Sequence, residues 1–379
     1  ASFNRGKKDD RAVSVENEHD ESFVVDSIQN ARIDSLPLRL LVVPGNVKGN
    51  ISIDADRVDF AEVAVNPLSL KAKMADRKLQ ISGANLNSNF GNAKLNAFYS
   101  TQSLKDISAG VDLNLSEISA ARIIHMLPAV DDMMPALKTF DGNFNLELSA
   151  TSRLDENMNL IMPTLDGVLD INGTDLEIKD VGDNMIRWTK LLGFKSYRDI
   201  KVSDLTASIV AHDNRLEVFP FELSAEKYKI ALYGTMDSHN VLNSHISVLK
   251  GPLLIRPGFN LIGTRGNFRF ILGKPVYVDG SVPVFTQELD NVQVNIAKSI
   301  LDIFDIGMND VRRYNAENLD KLYEMTRMAG FDPSMGAGEL TMDERMAFDD
   351  MILDSMMEEE EEEDAELDSI LENSINDIN

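Results

Sequence analysis

The sequence predicts a mainly β protein: a long, twisted antiparallel sheet with one apolar face, a few short amphipathic helices and a helical C-terminal region. Three observations lead there. From Leu38 to about Val284 the dominant hydrophobic period is two, which sets alternate side chains on opposite faces of strands. Part of that region occurs twice. The chain is 379 residues long and 43% hydrophobic, enough apolar material for a core, yet few segments have a helical period.

Residues 1–35 open polar and are expected to be disordered. The first β copy, about 45–118, begins at Gly49-Asn50-Ile51-Ser52-Ile53. Leu68, Leu70, Ala72 and Met74 then alternate with Ser69, Lys71, Lys73 and Ala75, and Leu79 and Ile81 follow the turn residues Asp76-Arg77-Lys78. Residues 119–138 read as two short amphipathic helices broken at Pro128 and Pro135. Phe144, Leu146 and Leu148 resume the alternation after Asp141-Gly142, taken as a turn like Asp166-Gly167, Gly234 and Gly263 to Gly266. The second copy, about 163–250, carries Leu205, Ala207 and Ile209, then Leu216 and Val218 after Asp213-Asn214-Arg215, then Ile230 and Leu232.

Val65–Ala97 aligns without gaps on Val202–Gly234 at an offset of 137, with Asp76 on Asp213, Lys78 on Arg215 and Gln80 on Glu217. Upstream, Gly49–Ile53 matches Gly167–Ile171 at an offset of 118. The 19-residue difference is an insertion at about 179–197, whose Met185, Ile186, Thr189 and Leu192 read as a helix. Beyond the sheet, residues 286–331 read as helical, with Val292, Ile296, Ile300 and Ile303 on one stripe and Leu319, Leu322, Tyr323 and Thr326 on another.

Residues 332–379 read as an acidic, solvated tail. Residues 343–379 alone hold sixteen Asp or Glu against Arg345, a net −15 of the chain's −25. Deleting 343–379 is expected to leave the fold intact, because no sustained apolar stripe runs through it. A thermal melt checks this: a midpoint lowered by more than a few degrees would show the tail docked on the body.

Charge and composition exclude several functions. No basic stripe exists to release phosphate counterions, so nucleic acid is not an expected partner. The chain has no cysteine, which removes disulfide scaffolds, cysteine zinc sites and thiol nucleophiles. Its longest apolar run, Leu36 to Val43, is too short to span a bilayer as a helix. The five histidines lack metal-ligand spacing, and His212, beside Asp213 in a hairpin turn, is expected to be solvated. Asp54, Asp56 and Asp59 lack the glycine and distal glutamate of a calcium loop. Gly336-Ala337-Gly338 lacks the strand and Lys-Ser/Thr of a phosphate cradle. No nucleophile elbow or triad can be nominated. The chain is therefore expected not to be an enzyme and to need no metal or cofactor.

Val202–Asp237, "VSDLTASIVAHDNRLEVFPFELSAEKYKIALYGTMD", has the order strand, turn with Asp and a basic residue, Leu-Glu-Val, then a strand reaching Gly. With "LDGVLDINGTDLEI" at Leu165–Ile178 and the earlier "ISAARIIHMLP…FDGNFNLELSA", this resembles the C-terminal repeat region of the AsmA-like family of Gram-negative envelope proteins, over roughly residues 45–285. The resemblance implies a repeating β-groove over about 36–285. Its role would be passage of phospholipid, or another acyl lipid, between membranes in support of outer-membrane assembly and integrity. It further implies a periplasmic or cell-envelope location, inner- and outer-membrane proteins as partners, and an inner-membrane anchor that this chain does not contain. The expected lipid-binding floor is Leu68, Leu70, Ala72, Met74, Leu79 and Ile81 in the first copy. In the second it is Leu205, Ala207, Ile209, Leu216, Val218, Ile230 and Leu232. The alternative is a structural or scaffolding envelope protein with a closed β core and a tail that docks a basic partner. On either reading the opposite strand face, Ser208 included, is expected to meet water.

Overall fold

The computed structural model describes residues 40–60, 63–88, 91–119, 140–179, 200–203, 205–237, 241–264 and 267–328. The expected polar N-terminus, both helical insertions and the acidic tail fall outside the described residues, apart from a few flanking positions.

Among the described residues, fifteen strands form one antiparallel sheet. The first half comprises β1 (Gly49–Ala55), β2 (Val58–Phe60), β3 (Val63–Ala75), β4 (Lys78–Ser88), β5 (Gly91–Ser103), β6 (Asp106–Ser119) and β7 (Phe140–Leu154). It continues with β8 (Asp166–Ile178), β9 (Ile200–Val202), β10 (Leu205–His212), β11 (Arg215–Ala225), β12 (Tyr228–Asp237), β13 (Leu242–Lys250), β14 (Gly258–Thr264) and β15 (Asn267–Gly273). Two helices follow among the described residues, α1 (Thr286–Leu301) and α2 (Met308–Met328). The strands lie almost in chain order, with β1 at one edge and β15 at the other, so among the described residues the sheet does not close into a barrel. Short β2 pairs with β3, and β9 bridges β8 and β11.

The internal repeat is written into the backbone. Two-residue turns with both central residues at positive φ join β3 to β4 at Asp76 and Arg77 (φ 50 and 61), and β10 to β11 at Asp213 and Asn214 (φ 47 and 64). Such turns twist with the hand of their strands, and Asp and Asn tolerate the conformation best. The β4–β5 register slips between Ile81 and Ala84. The β11–β12 register slips between Val218 and Phe221, the same place 137 residues on. Gly49 opposes Met74 as Gly167 opposes Ala211, and Val58 opposes Val65 as Leu176 opposes Val202. Strand β3 of the first copy thus corresponds to β9 plus β10 of the second.

Several glycines expected in turns are strand residues. Asp141-Gly142 is a bulge inside β7, with Gly142 at φ 132. Asp166-Gly167 opens β8, and Gly234 lies within β12, where a Cβ would meet Ser244 Oγ at 2.3 Å. Close approach of neighbouring strands explains Gly167 and Gly234, and the positive φ of the bulge explains Gly142; chain reversal explains none of them.

Helices α1 and α2 lie on the sheet face opposite the expected groove. Leu289, Val292, Ile296 and Ile300 of α1, with Ile303 beyond it, pack against Phe98, Val168, Val210 and Phe219. Val311, Leu319 and Leu322 of α2 complete that cluster. The expectation that this face meets water is therefore overturned across its middle. Polar side chains there serve as anchors: Gln80 Nε2 donates to the Ile300 and Leu301 carbonyls at 3.1 and 2.5 Å, satisfying groups that the end of a helix leaves open. Asn315 of α2 donates to Thr151 Oγ1 at 3.2 Å and accepts from Ser299 at 3.3 Å.

Candidate functional site: an apolar sheet face

Strand register places the thirteen expected floor residues on one face. A row of directly opposed residues runs across eleven strands: Ile51, Ala72, Ile81, Ala97, Val111, Ala150, Gly167, Ala211, Leu216, Met236 and Leu242. Met74 opposes Leu79, and Leu68 opposes Leu86. Leu70 faces Ile53 of the edge strand. In the second copy Ile209 lies between Leu169 and Val218, and Ala207 opposes Ile171. Leu205 opposes Gly173, where a Cβ would collide with Leu176 at 2.7 Å. Past the bulge, Leu232 opposes Phe221 and Ile230 opposes Leu223.

Of the thirteen, only Ala207 and Leu216 are buried, and the other eleven are half-buried. The face is drier toward one rim, where Phe144, Leu146, Ile171, Leu176, Tyr228 and Val248 belong to one buried cluster. Leu205, Ile209, Ile230 and Phe221 pack onto its margin. At the free edge, Ile51 and Ile53 stand 59% and 41% exposed on the same face. The result is a continuous apolar surface, dense at one rim and open along β1. It can solvate an aliphatic chain without any directed polar contact. Its alternating pattern made it legible in the sequence.

The back face carries a titratable cluster the sequence did not reveal. His212 is not the solvated turn residue expected. Its Nδ1 lies 2.8 Å from Asp166 and its Nε2 3.0 Å from Asp320 of α2, while Tyr323 stacks on the ring at 5.7 Å. His212, Asp320 and Tyr323, with Asp213, Arg215 and Glu217, line a cavity of about 490 Å³. Asp166, then Asp320, raise the His212 pKa above its ordinary value, against the opposing effect of burial. Burial raises the Glu217 carboxyl, opposed by the Tyr323 hydroxyl and Arg215. The arrangement clips α2 to the sheet. Among the described residues no group of His, Cys, Asp and Glu could hold a metal ion.

A histidine whose folded pKa is raised stabilises fully below its unfolded value, near 6.5, and stops doing so as pH rises through the folded value. Wild type should therefore exceed His212→Gln in stability by on the order of 1 kcal/mol below about pH 6, since Asp320 is 70% exposed and screened. The gap should close above the folded transition. Paired thermal melts across pH 5 to 9 check this, and a gap that widens with pH would refute the clip. His245 works in the opposite direction, because burial lowers its pKa, but it is common to both proteins and cancels.

Comparison of the chain with models of known protein families, with curated proteins and with solved structures finds no match. The fold and the apolar face therefore stand on their own geometry. Among the described residues no helix is long and apolar enough to cross a membrane.

Proposed function

We propose that this chain is a non-enzymatic lipid-handling protein of the Gram-negative envelope, of the AsmA-like kind. Its open sheet face takes up phospholipid acyl chains and passes them along the strand rows between membranes. The observation that carries this reading is the apolar face spanning both repeats, with most of its side chains half-buried, on the side that α1 and α2 leave free. Each buried CH₂ contributes about 0.8 kcal/mol, so a 16-carbon chain gains on the order of 10 kcal/mol before ordering costs. No polar recognition site is needed for binding of that kind.

Mass spectrometry of an organic extract from natively purified protein tests the reading. Phospholipid at a fixed molar ratio is the expected result, and its repeated absence would favour the scaffold. The closed-core reading has one observation on its side, the buried cluster around Phe144 and Leu176 on this same face. That cluster gathers toward one rim, whereas the half-buried rows continue through β3 and β4 to the edge.

A further inference from the structure

The connection between β13 and β14 carries the most exposed large apolar side chain among the described residues, Leu254, at 90%. The loop is built to hold it there. The Val248 amide donates to the Pro257 carbonyl at 3.0 Å, closing the base, and prolines 252 and 257 stiffen both arms. Gly251 admits close packing, since a Cβ would meet the buried Tyr228 ring at 2.4 Å. Arg256 donates to the Leu253 and Ile255 carbonyls, fastening the tip from within. Leu253 packs onto the buried cluster of the apolar face, so the tip is a direct continuation of that face. Two cations flank it: Arg256 is exposed, and Lys250, 64% exposed, pairs with Asp279 at 2.7 Å.

We propose that the Gly251–Pro257 loop is a membrane-contacting knuckle that inserts Leu254 among lipid acyl chains and sets Arg256 and Lys250 at the headgroup phosphates. A protein partner fits less well. A stable protein interface buries on the order of 1,000 Å² or more, and one protruding leucine on a narrow loop offers a small fraction of that. A bilayer needs only a short apolar wedge bordered by cations, and a pre-ordered wedge loses little entropy on insertion. The proposal deepens the lipid reading above and relies on it for purpose: the knuckle would bring the dense rim of the apolar face against the membrane that supplies or receives lipid.

The absence of cysteine allows a clean test. The full chain with Leu254→Cys is labelled with an environment-sensitive nitrobenzoxadiazole dye and mixed with vesicles of phosphatidylcholine containing a minority of phosphatidylglycerol. Leu104→Cys is the control, since Leu104 is 67% exposed between β5 and β6 on the opposite rim. A severalfold emission gain with a blue shift at position 254, and none at 104, is the expected result. No change at 254, or equal changes at both, overturns the knuckle. Unlabelled Leu254→Asp should lose about tenfold in vesicle co-flotation. Unchanged flotation would also overturn the proposal. Lipid carried through purification by Leu254→Asp reports separately on the apolar face: its presence keeps that reading whatever the vesicles show, and its absence from wild type as well sinks that reading without touching the vesicle result.

Discussion

Val210→Asp is expected to abolish folding, while its neighbour Ile209→Asp folds and loses its lipid. The two side chains are adjacent on β10 and point to opposite faces. Val210 is fully buried beneath the C-terminal helices, and one of its cross-strand partners is Glu217, itself 1% exposed. A carboxylate there would be desolvated beside another acid, at a cost of several kcal/mol, comparable to the whole stability of a typical domain. Ile209 is half-buried among Leu169 and Val218 on the apolar face. Water can reach a charge there, so the cost should be nearer about 1–2 kcal/mol, yet the charge stands on the proposed path of an acyl chain. Circular dichroism melts and lipid extraction of both proteins decide the matter. If Ile209→Asp also fails to fold, the face is a closed core. If it folds and carries wild-type lipid, the assigned face is wrong. Thr206, on the other face of the same strand, is more exposed than Ser208 and so the milder control, although its hydroxyl donates to Asn172 at 3.0 Å and it borders the same cavity. Ser208 donates to Asp170 and lines a cavity with Phe285 and Leu289, so a charge there would not merely decorate the surface.

Much of the architecture was legible because its signals are local. A period of two needs no tertiary knowledge, and Leu68, Leu70, Ala72 and Met74 fall on one face whatever covers them. The repeat was legible because the same turn needs the same chemistry, Asp76-Arg77 in one copy and Asp213-Asn214 in the other. The docking of the helices was not legible. The face they cover is marked by Gln80, Gly110, Thr151, His212 and Glu217, which read as a solvated strand surface. Their burial depends on partners far along the chain: Gln80 meets Ile300 at a separation of 220 residues, and His212 meets Asp320 at 108. Gln80 anchors the end of α1, and its repeat equivalent Glu217 lies buried in the cavity beside Tyr323 of α2, which no strand pattern could announce. Glycines misled for a related reason. Gly234 and Gly167 sit where neighbouring strand atoms leave no room for a Cβ, and sequence alone does not separate that use from a turn.

Ile300→Ala should lower stability by about 2–5 kcal/mol while leaving the lipid carried per folded molecule unchanged. Ile296, Ile300 and Ile303 are each fully buried and form the seam between α1 and the back of the sheet. Removing three carbons at the middle of that seam leaves a cavity that cannot collapse easily. The Ile300 carbonyl is held by Gln80, and the adjacent sheet is locked where Gly110 leaves no space beside the Phe98 ring, 2.3 Å from a built Cβ. The loss should therefore fall at the upper part of that range and appear as a drop of several degrees in the melting midpoint. The rows proposed to take up acyl chains lie on the other side of the sheet, one residue out of phase, and keep their side chains. A melt together with lipid quantification on the folded fraction separates the two faces. If lipid falls in step with stability, the helices and the apolar face form one continuous core, and a structural role for the sheet becomes the better account. If the midpoint falls while the lipid ratio holds, α1 and α2 are a backing layer that keeps the sheet rigid and soluble on one side so that the other can remain open.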